Sequence, residues 1–187
     1  MFFKRLELQG FKSFAHKTQI DFQPGFTIVV GPNGCGKSNV LDGIRWVLGE
    51  TSAKTLRGGR MADVVFRGSQ SVKPAGLAQV TLTLDNERGY LRIDQQEVGV
   101  TRRLFSSGDS QYQMNKVACR MRDIHELFLD TGLGADGYSV IEQGAIGQMV
   151  AAKPNERRDL FEEAAGISRY KLRREETVRK LKRTEDD

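Results

Sequence analysis

Leu6 and Leu8 alternate with Glu7 and Gln9, and Ile20 and Phe22 flank Asp21, so two early segments carry the period-two pattern of half-buried strands. Phe26-Thr27-Ile28-Val29-Val30 differs from both. It is a largely apolar run ending at Gly31, with the composition of a strand covered on both faces, and it predicts a buried central strand over 26–30. The run feeds directly into a glycine-rich stretch. Beyond it Val40, Leu41, Ile44, Trp46, Val47 and Leu48 recur at helical spacing and predict a helix over 39–48. The local order is strand, loop, helix.

Residues 51–68 read as a basic, glycine-containing connection with a short apolar strand at Val64-Val65-Phe66. Three β-branched, alternating segments follow at 80–84, 90–93 and 98–105, separated by Asn86-Glu87-Arg88-Gly89 and by further polar residues, which predicts an antiparallel meander. Residues 106–110 form a polar turn, 111–119 add a hairpin, and 123–129 turn helical. From Pro154 the character changes. Residues 156–187 are almost all helix formers, with acid-to-base pairs such as Glu175 with Arg179 and Glu176 with Lys180, and Gly166 is the interruption. Ile167, Tyr170, Thr177 or Val178, and Leu181 then fall at three- and four-residue steps, the seam of a coiled coil, although Arg174 sits within it and a solvated terminal helix also fits. The boundary is drawn between residues 1–153 and 154–187, with the second helix still running at the last residue.

With 187 residues, of which 39% are hydrophobic, there is enough apolar material for one domain with a core. No uncharged apolar run approaches the ~18 residues that span a bilayer, and the first residues lack a signal-peptide pattern. A cytosolic location, without a membrane partner, is expected. Cys35 and Cys119 have no Cys or His neighbours at ligand spacing, so both are expected to be free thiols. The formal net charge of +5 favours an anionic partner, and nucleotide plus nucleic acid would satisfy it.

The chemistry concentrates in Gly31-Pro32-Asn33-Gly34-Cys35-Gly36-Lys37-Ser38. A triphosphate needs several donors converging at short range, and backbone N–H groups reach it only where side chains do not obstruct. Gly31, Gly34 and Gly36 provide that access, and the helix that follows offers its unpaired N–H groups and positive dipole end to the same anion. Lys37 supplies a charge to the β- and γ-phosphates, and the Ser38 hydroxyl is placed to ligate Mg²⁺. ATP with Mg²⁺ is therefore the expected ligand. Two other segments do not complete the site. Val80 to Glu87 lead to carboxylates as a Walker B strand does, but Thr81 and Thr83 alternate with apolar residues and Asp85 is not adjacent to Glu87, so a turn is expected. Leu56-Arg57-Gly58-Gly59 has arginine where a signature peptide of ABC ATPases has serine. No base that activates water is evident.

Together the segments Gly10-Phe11-Lys12-Ser13-Phe14, Gly31 to Asn39, Ile44-Arg45-Trp46-Val47-Leu48-Gly49-Glu50, Leu56-Arg57-Gly58-Gly59, Gln143-Gly144 and Phe161-Glu162-Glu163-Ala164-Ala165-Gly166 resemble the N-terminal head of prokaryotic SMC (structural maintenance of chromosomes) proteins. The resemblance runs through essentially the whole chain. It implies an α/β, ABC-type ATPase N-terminal lobe: a mixed sheet around the P-loop, an antiparallel β-subdomain, and a C-terminal helix that starts a coiled coil. It also implies that Walker B carboxylates and signature motif lie in a separate C-terminal lobe, so that this chain carries half an active site.

By position, Gly31, Pro32, Asn33, Gly34, Cys35, Gly36, Lys37, Ser38 and Asn39 match the Walker A loop, and Gln143 matches the Q-loop glutamine that contacts Mg²⁺ or the attacking water. Lys12 and Ser13 match a segment approaching the nucleotide phosphates. Arg57 matches the arginine-loop residue that links DNA to ATP hydrolysis, and Arg60, Arg120 and Arg122 resemble positions that face DNA. Such contacts go to phosphate and carry no sequence information. The family's partners are the C-terminal head lobe, a second SMC protomer, a kleisin subunit and DNA, and its output is chromosome condensation and segregation. Cys35 stands where the family more usually has serine, and a thiol beside Lys37 and a helix N-terminus is expected to react readily. Three other readings stay open on the residues alone: a small-metabolite P-loop kinase, a coiled-coil ABC ATPase of DNA repair, and a DNA-binding module without enzymatic function.

Overall fold

Six strands form where the sequence alternates. They are β1 (Phe3–Gln9), β2 (Thr18–Asp21), β3 (Leu77–Asp85), β4 (Glu97–Phe105), β5 (Ser110–Met114) and β6 (Val117–Cys119) in a computed structural model. The structure describes residues 2–129, 131–133, 139–141, 147, 158, 161–162, 165 and 167–186. These fall into two units, Met1–Leu127 and Phe128–Asp187, and each is described by itself.

In the first unit the strand order is β2-β1-β3-β4-β5-β6, and every pairing among the described residues is antiparallel. The β3–β4 ladder runs unbroken from Leu77↔Phe105 to Asp85↔Glu97. Alternation decides the faces: Leu6, Leu8, Val80, Leu82, Leu84, Val98, Val100 and Leu104 are buried, whereas Gln79, Thr81 and Thr83 point the other way and are half-buried. Against the apolar face lies α1 (Lys37–Val47), which contacts β3 and β4. A Cβ on Gly43 would stand 2.6 Å from the Leu8 Cδ2, so this helical glycine is what lets α1 come so close to β1. Trp46, fully buried, packs its ring 5.2 Å from that of Phe11. Burial of each such side chain stabilises by about 1.5–3 kcal/mol.

At the inward position between Val100 and Leu104 stands Arg102, 3% exposed. Its Nη1 donates to the carbonyls of Trp46 (2.8 Å) and Glu50 (2.6 Å) at the C-terminal end of α1. The guanidinium also lies 4.8 Å from the Trp46 ring centre and 5.3 Å from that of Tyr112. Burial lowers its pKa, while Tyr112 and Glu50 oppose the shift. A cation there stabilises carbonyls at and just beyond the C-terminal end of the helix, where the dipole favours positive charge.

The hairpin expected over 111–119 is β5–β6, turned by Asn115 and Lys116 at φ 48° and 68°, the left-handed pair of a type I′ turn. The helix expected at 123–129 is α2 (Met121–Phe128). Three expected strands are corrected. Residues 90–93 form a stapled loop, because the buried Asn86 side chain accepts from the Leu91 N–H (2.7 Å) and donates toward the carbonyls of Leu91, Ile93 and Gln95 at 2.9–3.1 Å, drawing the backbone off any ladder. The strand expected at 64–66 is a single bridge, Phe11↔Val65, after a 3₁₀ turn over Met61–Val64.

The third correction concerns 26–30, which is not a strand here. Phe26, Ile28 and Val30 are 101%, 81% and 82% exposed. A strand covered on both faces needs a ladder partner and a second layer of side chains, and the described residues offer this segment neither. The turn expected around Asp85 and Glu87 does form, with the Gly89 N–H donating to the Asn86 carbonyl at 2.9 Å.

In the second unit, α3 (Ser168–Asp186) is the long helix expected there. Helical residues 161–162 and α3 flank the expected interruption; Gly166 itself, and Pro154, lie outside the described residues. Ile167, Tyr170, Val178 and Leu181 are all exposed, at 45–71%.

Candidate phosphate-binding site

The loop from Gly31 to Gly36 enters α1 through Gly36 at φ 97°, a left-handed conformation that glycine adopts freely. No side chain caps the helix and no acidic residue lies in its first turn. The first N–H groups of α1 therefore keep their capacity for an anion. A Cβ on Gly31 would lie 2.7 Å from the Cys35 Sγ, so the exposed thiol is tucked against the start of its own loop. Lys37 folds back, its Nζ donating to the carbonyls of Gly31 (2.6 Å) and Pro32 (2.7 Å). The ammonium is thus held over the loop. These features fit a magnesium triphosphate: bare main chain, an uncapped helix start, one cation, and an exposed hydroxyl at Ser38.

Around the loop the expected residues converge on one face of α1. Asn39 donates from Nδ2 to the Ser13 Oγ at 2.8 Å and accepts at Oδ1 from Arg57 Nη2 at 3.2 Å. One turn on, Asp42 is 4% exposed and accepts from both Lys12 Nζ and Arg57 Nη2. Lys12 also donates to the Leu56 carbonyl, next to Arg57. Both cationic residues have left-handed backbones, φ 49° at Lys12 and 57° at Arg57. Two strained non-glycine residues on one carboxylate mark a locally over-determined site. The sequence reading missed Asp42. Its signal was a lone carboxylate on the apolar face of the predicted helix, which a buried position tolerates only if paired.

Arg60 is not part of this cluster; it pairs with Asp63 at 3.4 Å, and Arg67 pairs with the same carboxylate. The Asp63 carboxyl is held below its ordinary range chiefly by the Arg60 N–H, with the Gly59 N–H and Arg67 adding to the effect and desolvation opposing it. A groove of about 540 Å³ runs here, with Lys12, Arg57, Arg60, Arg67 and Asp63 in its lining. Arg120 and Arg122 are exposed at the start of α2, where the Arg120 N–H donates to Asp123 at 2.7 Å and Arg122 pairs with Glu126 at 3.0 Å. Burial, then Asp123, raises the pKa of the neighbouring Cys119 thiol. Gln143 lies outside the described residues. Among the described residues no group of three acidic, His or Cys side chains could hold a metal by itself, and no helix is long and apolar enough to cross a membrane.

Residues 2–143 match the family model of the RecF/RecN/SMC N-terminal domain. The chromosome partition protein Smc of Clostridium kluyveri is 56% identical over 99% of this chain, which spans 16% of that relative's length. Among solved structures, the Smc head domain of Pyrococcus furiosus with an extended coiled coil, bound to the C-terminal domain of ScpA, is 38% identical with a TM-score of 0.84, covering 99% of this chain and 47% of that one. A chain from work on ATP-driven dimerization and DNA-stimulated activation of SMC ATPases is 37% identical with a TM-score of 0.78, covering 87% of this chain and 99% of that one. A phosphate loop opening α1, an antiparallel β-sheet and a long terminal helix all fall within one continuous match, and the chain belongs to the RecF/RecN/SMC N-terminal domain family as the N-terminal head lobe of an SMC protein.

Proposed function

We propose that this chain is the ATP-binding half of a split ABC-type ATPase, completed by a C-terminal head lobe and by a second SMC protomer across the nucleotide. The observation that carries this is the loop that opens α1, with unspent N–H groups and the Lys37 ammonium resting on the Gly31 and Pro32 carbonyls. Reaching phosphate exchanges two neutral acceptors for charged ones, and charge-assisted hydrogen bonds are roughly twice as strong. In this reading Gly31 to Asn39 hold the phosphates, and Ser38 with Gln143 ligates Mg²⁺, which offsets charge on the transferred phosphoryl group. Lys37 acts on the same charge, Lys12 and Ser13 approach from beside Asn39 and Asp42, and Lys12 exchanges its carboxylate partner to do so.

Hydrolysis needs a carboxylate base, and the exposed run 26–30 needs a sheet partner. A C-terminal lobe supplies both in one step. Arg57, Arg60, Arg120 and Arg122 contact DNA phosphates without sequence preference, with Arg57 relaying DNA to the ATPase site. The exposed positions of α3 fit a coiled-coil partner, and one end of a kleisin contacts this neck; in Pyrococcus furiosus the Smc head domain is bound to the C-terminal domain of ScpA. The cellular output is chromosome condensation and segregation in the cytoplasm. The Smc relatives favour this over the metabolite-kinase and DNA-repair readings. The test is turnover: this chain alone hydrolyses ATP negligibly and mixing with the C-terminal lobe restores the rate, whereas robust turnover by the chain alone contradicts the split site.

A further inference from the structure

We propose that Asp42 is a charge latch on Arg57: one buried carboxylate shared by two cations, Lys12 and Arg57, so that Lys12 sets how firmly Arg57 is withheld from a nucleic-acid phosphate. The inference rests on the reading of Arg57 as a DNA contact and adds a positioning residue to it.

The geometry has three parts. Asp42 lies on α1, one turn beyond Asn39, with only 5% of its side chain exposed, so it is fixed to the helix that carries the phosphate loop. Lys12 is nearly as buried, at 13%, whereas Arg57 is 51% exposed. The Arg57 guanidinium therefore has its Nη2 on Asp42 and the Asn39 Oδ1, and about half of the side chain is exposed, where a phosphate can reach it. Among the described residues, Lys12 and Arg57 are the cations paired with this carboxylate.

Both cations use the same oxygen, Oδ2, so each weakens the other's hold. Removing Lys12 leaves the whole charge to Arg57. Neutralising Asp42 removes the charge that restrains Arg57. The Lys12 ammonium is also bonded to the Leu56 carbonyl, so the competition is built into the loop that bears Arg57.

Neutralising the carboxylate and removing Lys12 give variants of opposite sign, and a merely structural role would weaken DNA binding in both. Full-length protein carrying Asp42→Asn or Lys12→Gln is titrated with a fluorescent DNA duplex at fixed salt, without nucleotide. Asp42→Asn is expected to tighten DNA by about two- to fivefold and Lys12→Gln to loosen it by a similar factor, the range of partly exposed ion pairs. Net charge alone would give the same order, so Arg57→Ala is combined with each. In the Arg57→Ala background both effects are expected to fall within measurement error of unity. Undiminished effects there overturn the latch, as do single variants that shift the same way. Arg57→Ala without effect on DNA affinity overturns the DNA role of Arg57 itself, and the latch with it. Should Asp42→Asn fail to fold, Lys12→Gln with and without Arg57→Ala decides the matter alone.

Discussion

Two regions joined to α1 differ in how complete they are. In one, Trp46, Phe11, Leu8 and the β3–β4 ladder form a closed core, and Lys12, Ser13, Asn39, Asp42 and Arg57 satisfy one another. In the other, the segment Phe26 to Gly36 that leads into α1 carries Phe26, Ile28 and Val30 exposed, and Lys37 is bonded to its own loop. The first region finds its partners inside the chain. The second has the composition of a buried strand and the donors of a phosphate site, and among the described residues its apolar side chains find no covering layer.

The comparison is sharpest in amide exchange. Central β3 and β4 amides should open only with global unfolding, a cost on the order of 5–15 kcal/mol, while those of 26–30 should exchange near the unprotected rate until the C-terminal lobe is added. Protection of 26–30 in the isolated chain would erase the contrast. Next in size is the core itself: Trp46→Ala should cost about 3–5 kcal/mol in denaturant unfolding of the completed head. Gly36→Ala strikes the second region, where the loop enters α1. A left-handed alanine costs about 1–2 kcal/mol, and its Cβ would press on the Ser13 Oγ at 2.9 Å, so MgATP binding should fall far more than stability does.

Smallest is an effect of pH on the Arg60–Val64 turn. Asp63 has its folded pKa below the ordinary value of 3.8, so its contribution is fully present above that value and lost as pH falls through the folded one. The Gly59 and Arg60 amide resonances should shift in that acidic window, and Asp63→Asn should abolish the transition.

Period-two alternation located β1, β3 and β4, because each turns one face to the core that α1 covers and leaves the other face less buried. It failed at 90–93, where Asn86 takes over the carbonyls that a neighbouring strand would use. The strand expected at 26–30 rested on apolar composition instead, and it does not form: Phe26, Ile28 and Val30 are exposed, and the described residues supply neither a ladder partner nor a covering layer. At the proposed site, the glycines, Lys37 and Ser38 stand out in the sequence because phosphate chemistry requires those residue types at that spacing. Asp42 and Arg102 were not, since a buried charge is defined by partners far away in sequence, Lys12 and Arg57 for one, the carbonyls of Trp46 and Glu50 for the other. Both could have been flagged as charges on faces patterned for the core.

The central claim is that this loop grips a magnesium triphosphate through main-chain donors and the Lys37 ammonium. Calorimetric titration of MgATP into the head assembled from both lobes tests it most directly, with Lys37→Ala alongside. Saturable binding that Lys37→Ala weakens by at least about tenfold, the equivalent of 1.4 kcal/mol, is the predicted result. Absence of binding to the wild-type head, or equal affinity in the variant, would contradict it.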